Sequence, residues 1–126
     1  MSHFTTIQTQ IRDIPALREA CDELGLELLQ NAEARGFASN SRAAAYVVRL
    51  KGPYDIAADR QEDGTYQLVT DWWGGHVREE VGPNFGRLLQ LYGVHKTIRE
   101  ARTKRLRVRR HQEQDGSIKL TLTQPH

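Results

Sequence analysis

Tyr46-Val47-Val48-Arg49-Leu50-Lys51, then Gly52-Pro53, then Tyr54-Asp55-Ile56-Ala57-Ala58-Asp59-Arg60 is the stretch whose reading decides the fold. Two runs rich in β-branched and aromatic residues, parted by a Gly-Pro turn, read as neighbouring strands. Asp63-Gly64 follows, a tight-turn pair because both residues tolerate positive φ. Thr65-Tyr66-Gln67-Leu68-Val69-Thr70-Asp71-Trp72-Trp73 then returns as a third strand. The three make an antiparallel meander.

Working outward, residues 3–11 are rich in Thr and Ile and predict a first strand. Asp13 stands where an N-cap belongs and Pro15 falls in the first turn behind it. Leu17, Ala20, Cys21 and Leu24 recur at i, i+3, i+4, i+7, and Gly25 stops the helix they define. Leu26, Leu28 and Leu29 suggest a short strand, and residues 31–41 an irregular loop or a hairpin with polar ends. Downstream, Gly74-Gly75 breaks the sheet, and a loop through Gly82-Pro83 leads to a helix from about Asn84 to Ala101. Phe85, Leu88, Leu89 and Tyr92 form its apolar stripe, which Leu91, Val94, Ile98 and Ala101 widen. Gly86 and Gly93 weaken that helix by about 1 kcal/mol each relative to Ala, which close packing on the sheet would explain. Strands at 104–111 and 117–123, joined by Asp115-Gly116, close the chain. The expectation is one α+β domain over residues 1–126, in the order β-α-(β)-β-β-β-α-β-β. Its antiparallel sheet would hold about five to seven strands, with two helices packed on one face.

Composition bounds the class. The chain has 126 residues, 38% hydrophobic and 27% charged, the proportions of a soluble globular domain. No apolar run approaches the roughly 20 residues that span a bilayer, and the first residues carry neither the basic nor the apolar region of a secretion signal. Cys21 is the single cysteine, so no internal disulfide forms and a reducing compartment is expected, the cytoplasm or an organelle matrix. Net charge is only +2, yet residues 99–110 hold seven cations against Glu100, a local balance of +6.

That basic stripe (Arg99, Arg102, Lys104, Arg105, Arg107, Arg109, Arg110) is the first candidate site. Alternate residues of a strand share a face, so Arg105, Arg107 and Arg109 are expected in a row opposite Leu106 and Val108. Such a row suits an acidic protein surface or, as an alternative, nucleic-acid phosphates contacted by all seven cations. The plainer reading is a solvated face paired with carboxylates such as Glu113 or Asp59, with the helix-end cations complementing the dipole. Aromatic side chains, the usual companions of nucleic-acid binding, are missing from residues 99–111, which weighs against that alternative. The second candidate is Asp71-Trp72-Trp73-Gly74-Gly75-His76. Adjacent tryptophans in a strand face opposite sides, so Trp73, with His76, is expected to anchor a partner or cover the following loop.

Catalytic and metal readings find little to stand on. The five histidines and one cysteine have no metal-ligand spacing, and Cys21 on an apolar helix face reads as a buried thiol. Asp55, Asp59 and Asp71 with His76 would need to converge at one sheet edge to form a small-molecule or enzymatic site. No phosphate loop, dinucleotide fingerprint, nucleophile elbow or HExxH is present. A non-enzymatic role without cofactor or metal is the expectation.

The opening Met1-Ser2-His3-Phe4-Thr5-Thr6-Ile7-Gln8-Thr9-Gln10-Ile11-Arg12-Asp13, with Tyr54-Asp55-Ile56, Leu68-Val69-Thr70-Asp71-Trp72-Trp73-Gly74 and Leu89-Gln90-Leu91-Tyr92, resembles the ycf-type (hypothetical chloroplast frame) family. These are small proteins with a domain of unknown function, from cyanobacteria, algal plastids and other bacteria. The similarity runs over nearly the whole chain. It implies a self-contained domain, brings no catalytic residues, and implies company with ATPases of the AAA type. An accessory or adaptor protein working through Trp73, His76, Arg105, Arg107 and Arg109 is therefore the expected function, in a cytoplasm or plastid stroma. A homodimer through an edge strand is a further expectation.

Overall fold

The computed structural model describes residues 5–36 and 41–125. Four consecutive strands form the meander: β2 (Glu27–Arg35), β3 (Ser41–Arg49), β4 (Ile56–Arg60) and β5 (Tyr66–Thr70). The N-terminal strand β1 (Thr5–Gln8) adds antiparallel to β5, with Ile7 opposite Leu68, so the sheet order is β1-β5-β4-β3-β2. Helix α1 (Ile14–Glu23) carries the chain from one sheet edge to the other. Helix α3 (Gly86–Thr103) packs beside α1, and a separate hairpin, β6 (Arg107–Gln112) and β7 (Ile118–Thr123), ends the chain. The expected α+β order stands.

Local chemistry explains each end of α1. Asp13 caps it, accepting the Ala16 N–H at 3.0 Å, and Pro15 fills the first turn. At the far end Gly25 takes φ 74°, while the Leu26 N–H closes on the Cys21 carbonyl and the Gly25 N–H on Asp22. This is a Schellman ending. Helix α3 ends the same way without a glycine: Arg105 stands at φ 57°, Leu106 N–H reaches the Ala101 carbonyl and Arg105 N–H reaches Arg102.

The main core lies between the helices and one sheet face. Leu17, Cys21, Leu88, Leu91 and Tyr92 meet Leu28, Val48, Ile56, Ala58 and Leu68 there. The tyrosine's hydroxyl ties the two helices, accepting the N–H groups of Arg12 (2.9 Å) and Asp13 (3.0 Å).

Three features depart from the sequence reading. First, residues 27–35 and 41–49 form one long ladder, which is the hairpin alternative and not the irregular loop. It extends well beyond the short strand expected at 26–29; residues 37–40 lie outside the described residues. The pair 31–45 is skipped and Asn31 adopts φ 51°, which bends the hairpin so that its outer half folds back over the second sheet face. There Ala34 packs on Val47, Ala57 and Val69, all buried, and Arg42 pairs with Asp59.

Second, β5 ends at Thr70, and Trp73–Gly75 is a 3-10 turn leading into a short helix, α2 (His76–Val81), absent from the sequence reading. The two tryptophans therefore do not alternate across a strand. Third, α3 starts only at Gly86, after left-handed Asn84 (φ 54°) and Phe85 (φ 61°). Phe85 is fully buried against Trp72, ring centroids 4.7 Å apart. Burial worth about 1.5–3 kcal/mol offsets a backbone strain of similar size. Gly82 in the same turn has φ 82°, and a Cβ there would lie 3.0 Å from the Arg87 nitrogen.

Candidate protein-interaction surface on the C-terminal hairpin

The basic stripe is divided by the fold. Arg99 on α3 faces α1, with Nη1 3.0 Å from Glu19 and Nε 3.5 Å from Asp13. Arg110 forks onto Glu23 through two hydrogen bonds of 2.9 and 2.6 Å. His95 completes this belt, its two ring nitrogens 3.1 Å from Glu19 and 2.8 Å from Glu23. The Arg110 hydrogen bonds, the largest influence, bring the Glu23 carboxyl down to about 2. The carboxylates that meet the stripe are thus on α1, not at Glu113 or Asp59.

Arg102, Lys104, Arg105, Arg107 and Arg109 are all exposed, and no carboxylate of the described residues pairs with them. The expected row of Arg105, Arg107 and Arg109 is corrected, because Arg105 lies in the left-handed turn before β6. The row consists instead of Arg107, Arg109 and His111. Their cross-strand neighbours are Thr123, Thr121 and Lys119, so nothing in the hairpin neutralises the face. Sequence spacing missed His111 and Lys119; the register alone places them.

The opposite face of the hairpin carries Val108, Arg110, Ile118, Leu120 and Leu122. Ile118 packs on the main core, and Gln90 of α3 donates to the Gly116 carbonyl at 3.0 Å. Leu122 remains 42% exposed. A two-stranded ladder is marginal by itself, so these contacts and the Arg110–Glu23 fork hold it to the body.

The Trp73 group sits on a different element. Trp73 is 53% exposed, and its N–H donates to Asp71 Oδ1 at 2.9 Å. Asp71 is buried, and its Oδ2 has no hydrogen-bond partner. His76 at the start of α2 stands edge-on to Tyr54, centroids 5.4 Å apart. Gly74 and Gly75, both left-handed, make the turn.

The acidic residues considered for catalysis serve as joints. Asp55 is fully buried and accepts from Arg35 Nη2 (2.8 Å), Nε (2.9 Å) and backbone N–H (2.9 Å), from Arg49 Nε (3.1 Å) and from the Leu50 N–H (3.1 Å). Burial acts to raise its pKa, but the Arg35 and Leu50 hydrogen bonds outweigh it and hold the carboxyl below its ordinary range. This latch fastens the folded-back hairpin. Glu80 does similar work, accepting the Lys51 and Gly52 N–H groups from α2. Asp55, Asp59 and Asp71 do not gather, and no three His, Cys, Asp or Glu among the described residues form a metal-binding group. Cys21 is buried, which raises its thiol to about 12.

Among the described residues no helix is long and apolar enough to cross a membrane. Residues 20–121 match the family described as protein of unknown function (DUF1257), and the chain belongs to that family. It is similar to the uncharacterized protein ycf35 of the red alga Pyropia yezoensis, 27% identical over 121 residues that span 95% of this chain and 94% of that protein. No solved structure matches.

Proposed function

We propose that this protein is a non-enzymatic accessory or adaptor that binds a protein partner through the cationic face of its C-terminal hairpin. One observation carries the reading: Arg107 and Arg109 project from a separate two-stranded ladder with neutral cross-strand neighbours and no ion pair among the described residues. Desolvating unpaired guanidiniums is costly, whereas meeting carboxylates in a fixed fork recovers that cost and gives specificity. Trp73, with His76 at the start of α2, offers a second, aromatic contact. The partner implied by the ycf-type resemblance is an ATPase of the AAA type, in a cytoplasm or plastid stroma.

Capture from nuclease-treated lysate of the native host, comparing wild type with Arg107→Glu/Arg109→Glu and with Trp73→Ala, tests this. A specific protein set lost in the double variant is expected. No specific partner, or an unchanged set, contradicts the reading. Nucleic-acid binding through Arg102, Lys104, Arg105, Arg107 and Arg109 is the second reading, and affinity that falls steeply with salt would mark it. No Phe, Trp or Tyr follows Tyr92, so that face lacks a stacking platform.

A further inference from the structure

We propose that the partner is held as an added β-strand: an extended acidic segment pairing with the open edge of β6. This deepens the protein-partner reading and rests on it. Among the described residues the two-stranded sheet has no third strand on either side, and an unpaired edge is a template for strand addition.

The register identifies which backbone groups are open. The Glu113 N–H bonds the Ser117 carbonyl at 2.8 Å, so 113–117 is a hydrogen-bonded pair, as are 111–119, 109–121 and 107–123 by alternation. Val108, Arg110 and Gln112 on β6, and Ile118, Leu120 and Leu122 on β7, therefore direct their N–H and C=O groups outward. A strand added beside β6 bonds Val108, Arg110 and Gln112. Its remaining residues fall opposite Arg107, Arg109 and His111 in non-hydrogen-bonded pairs, where Cα atoms approach to about 4.5 Å and side chains are closest.

Charge chooses between the edges. The solvent face of β6 carries Arg107, Arg109 and His111, against only Lys119 with Thr121 and Thr123 on β7. Two copies joined through β6 would bring like charges together. A segment with carboxylates at alternate positions complements the row, and small apolar or β-branched residues between them lie on the side of Val108 and Leu120. The same alternation of acid and apolar residues is what β-strand geometry imposes on the partner.

Site-resolved amide exchange on the intact protein tests the mode. The probe is a peptide of about ten residues in which glutamate alternates with valine or threonine, long enough to cover the edge. Controls are a peptide of the same composition with its glutamates in one block, and oligothymidylate. The alternating peptide is expected to slow exchange at Val108, Arg110 and Gln112 by roughly tenfold or more, leaving Ile118, Leu120 and Leu122 unchanged. Val108→Pro, which removes an outward N–H without breaking the internal ladder, should abolish that binding, whereas Leu122→Pro should not. Equal binding of the block peptide, protection along β7, or protection by oligothymidylate would each overturn the proposal. Because the exchange measurement uses wild type, it stands even if Val108→Pro loosens the hairpin. If Arg107→Glu/Arg109→Glu abolishes partner capture while Val108→Pro leaves it intact, strand addition fails and the adaptor reading survives.

Discussion

At the scale of single residues, three side chains bear most on whether the domain holds together. Asp55 is itself closed to water and accepts hydrogen bonds from Leu50 and from Arg35 and Arg49, whose guanidiniums reach it from the surface. Asp55→Ala strands the Arg35 and Leu50 backbone N–H groups, while the part-exposed guanidiniums of Arg35 and Arg49 regain water, so the cost is about 1–3 kcal/mol. Thermal unfolding should show a fall in Tm of roughly 5–10 °C. Tyr92→Phe removes the acceptor shared by the Arg12 and Asp13 N–H groups and should cost about 1–3 kcal/mol by the same measurement. Glu23 makes the domain sensitive to acid. Its carboxyl binds a proton near pH 2 in the folded chain and near 4.5 in the unfolded one, so its contribution is complete above about 4.5 and lost as pH falls toward 2. Glu23→Gln should flatten the stability-versus-pH curve in that interval, as read by denaturant unfolding at each pH.

These residues also show what the sequence does and does not disclose. Asp13, Asp55, Asp71 and Tyr92 lie within the segments that carry the family resemblance, and each fixes a joint between elements. Asp55 and Asp71 look like candidate acids in a string of letters. Only the folded-back hairpin, which brings Arg35 to Asp55, shows the first to be a latch.

At the scale of elements, the legible ones had local punctuation. Asp63-Gly64, Asp13 with Pro15, and Gly25 each state a turn or a helix end in side-chain chemistry. The outer half of the β2–β3 hairpin stayed open between loop and hairpin because its bend rests on a left-handed Asn31, and the side chains it packs are alanines, weak markers of a core. The strand expected through Trp73 fails because Asp71 captures the Trp73 N–H and two left-handed glycines turn the chain. The Arg105 row was misjudged for a related reason. α1 and α3 end in the same motif, but one uses Gly25 and the other an arginine, so the second carries no signal. Arg105→Gly should therefore relieve a left-handed side chain and stabilise the domain by roughly 0.5–1 kcal/mol. Gly82→Ala should do the reverse by more than 1 kcal/mol, since its Cβ meets the Arg87 backbone at a φ that alanine resists. Paired unfolding curves of the two variants check both.

At the scale of the whole molecule, a five-stranded sheet is covered on one face by helices and in part on the other by its own bent hairpin. The terminal β6–β7 ladder is a separate sheet fastened to that body. Two of the seven cations in residues 99–110 are neutralised against α1, Arg99 tying α3 to it and Arg110 attaching the ladder, and the others face water. The division explains why a stripe read as one feature serves two ends. The central claim is that the outward arginines of this ladder meet protein. Its most direct test places a photo-crosslinking side chain at Thr121, cross-strand from Arg109, and another at exposed Glu62 as a control, in cells of the native host. The account predicts a discrete protein adduct at position 121 that disappears with Arg107→Glu/Arg109→Glu and is absent at 62. An adduct sensitive to nuclease, or none at position 121, would contradict it.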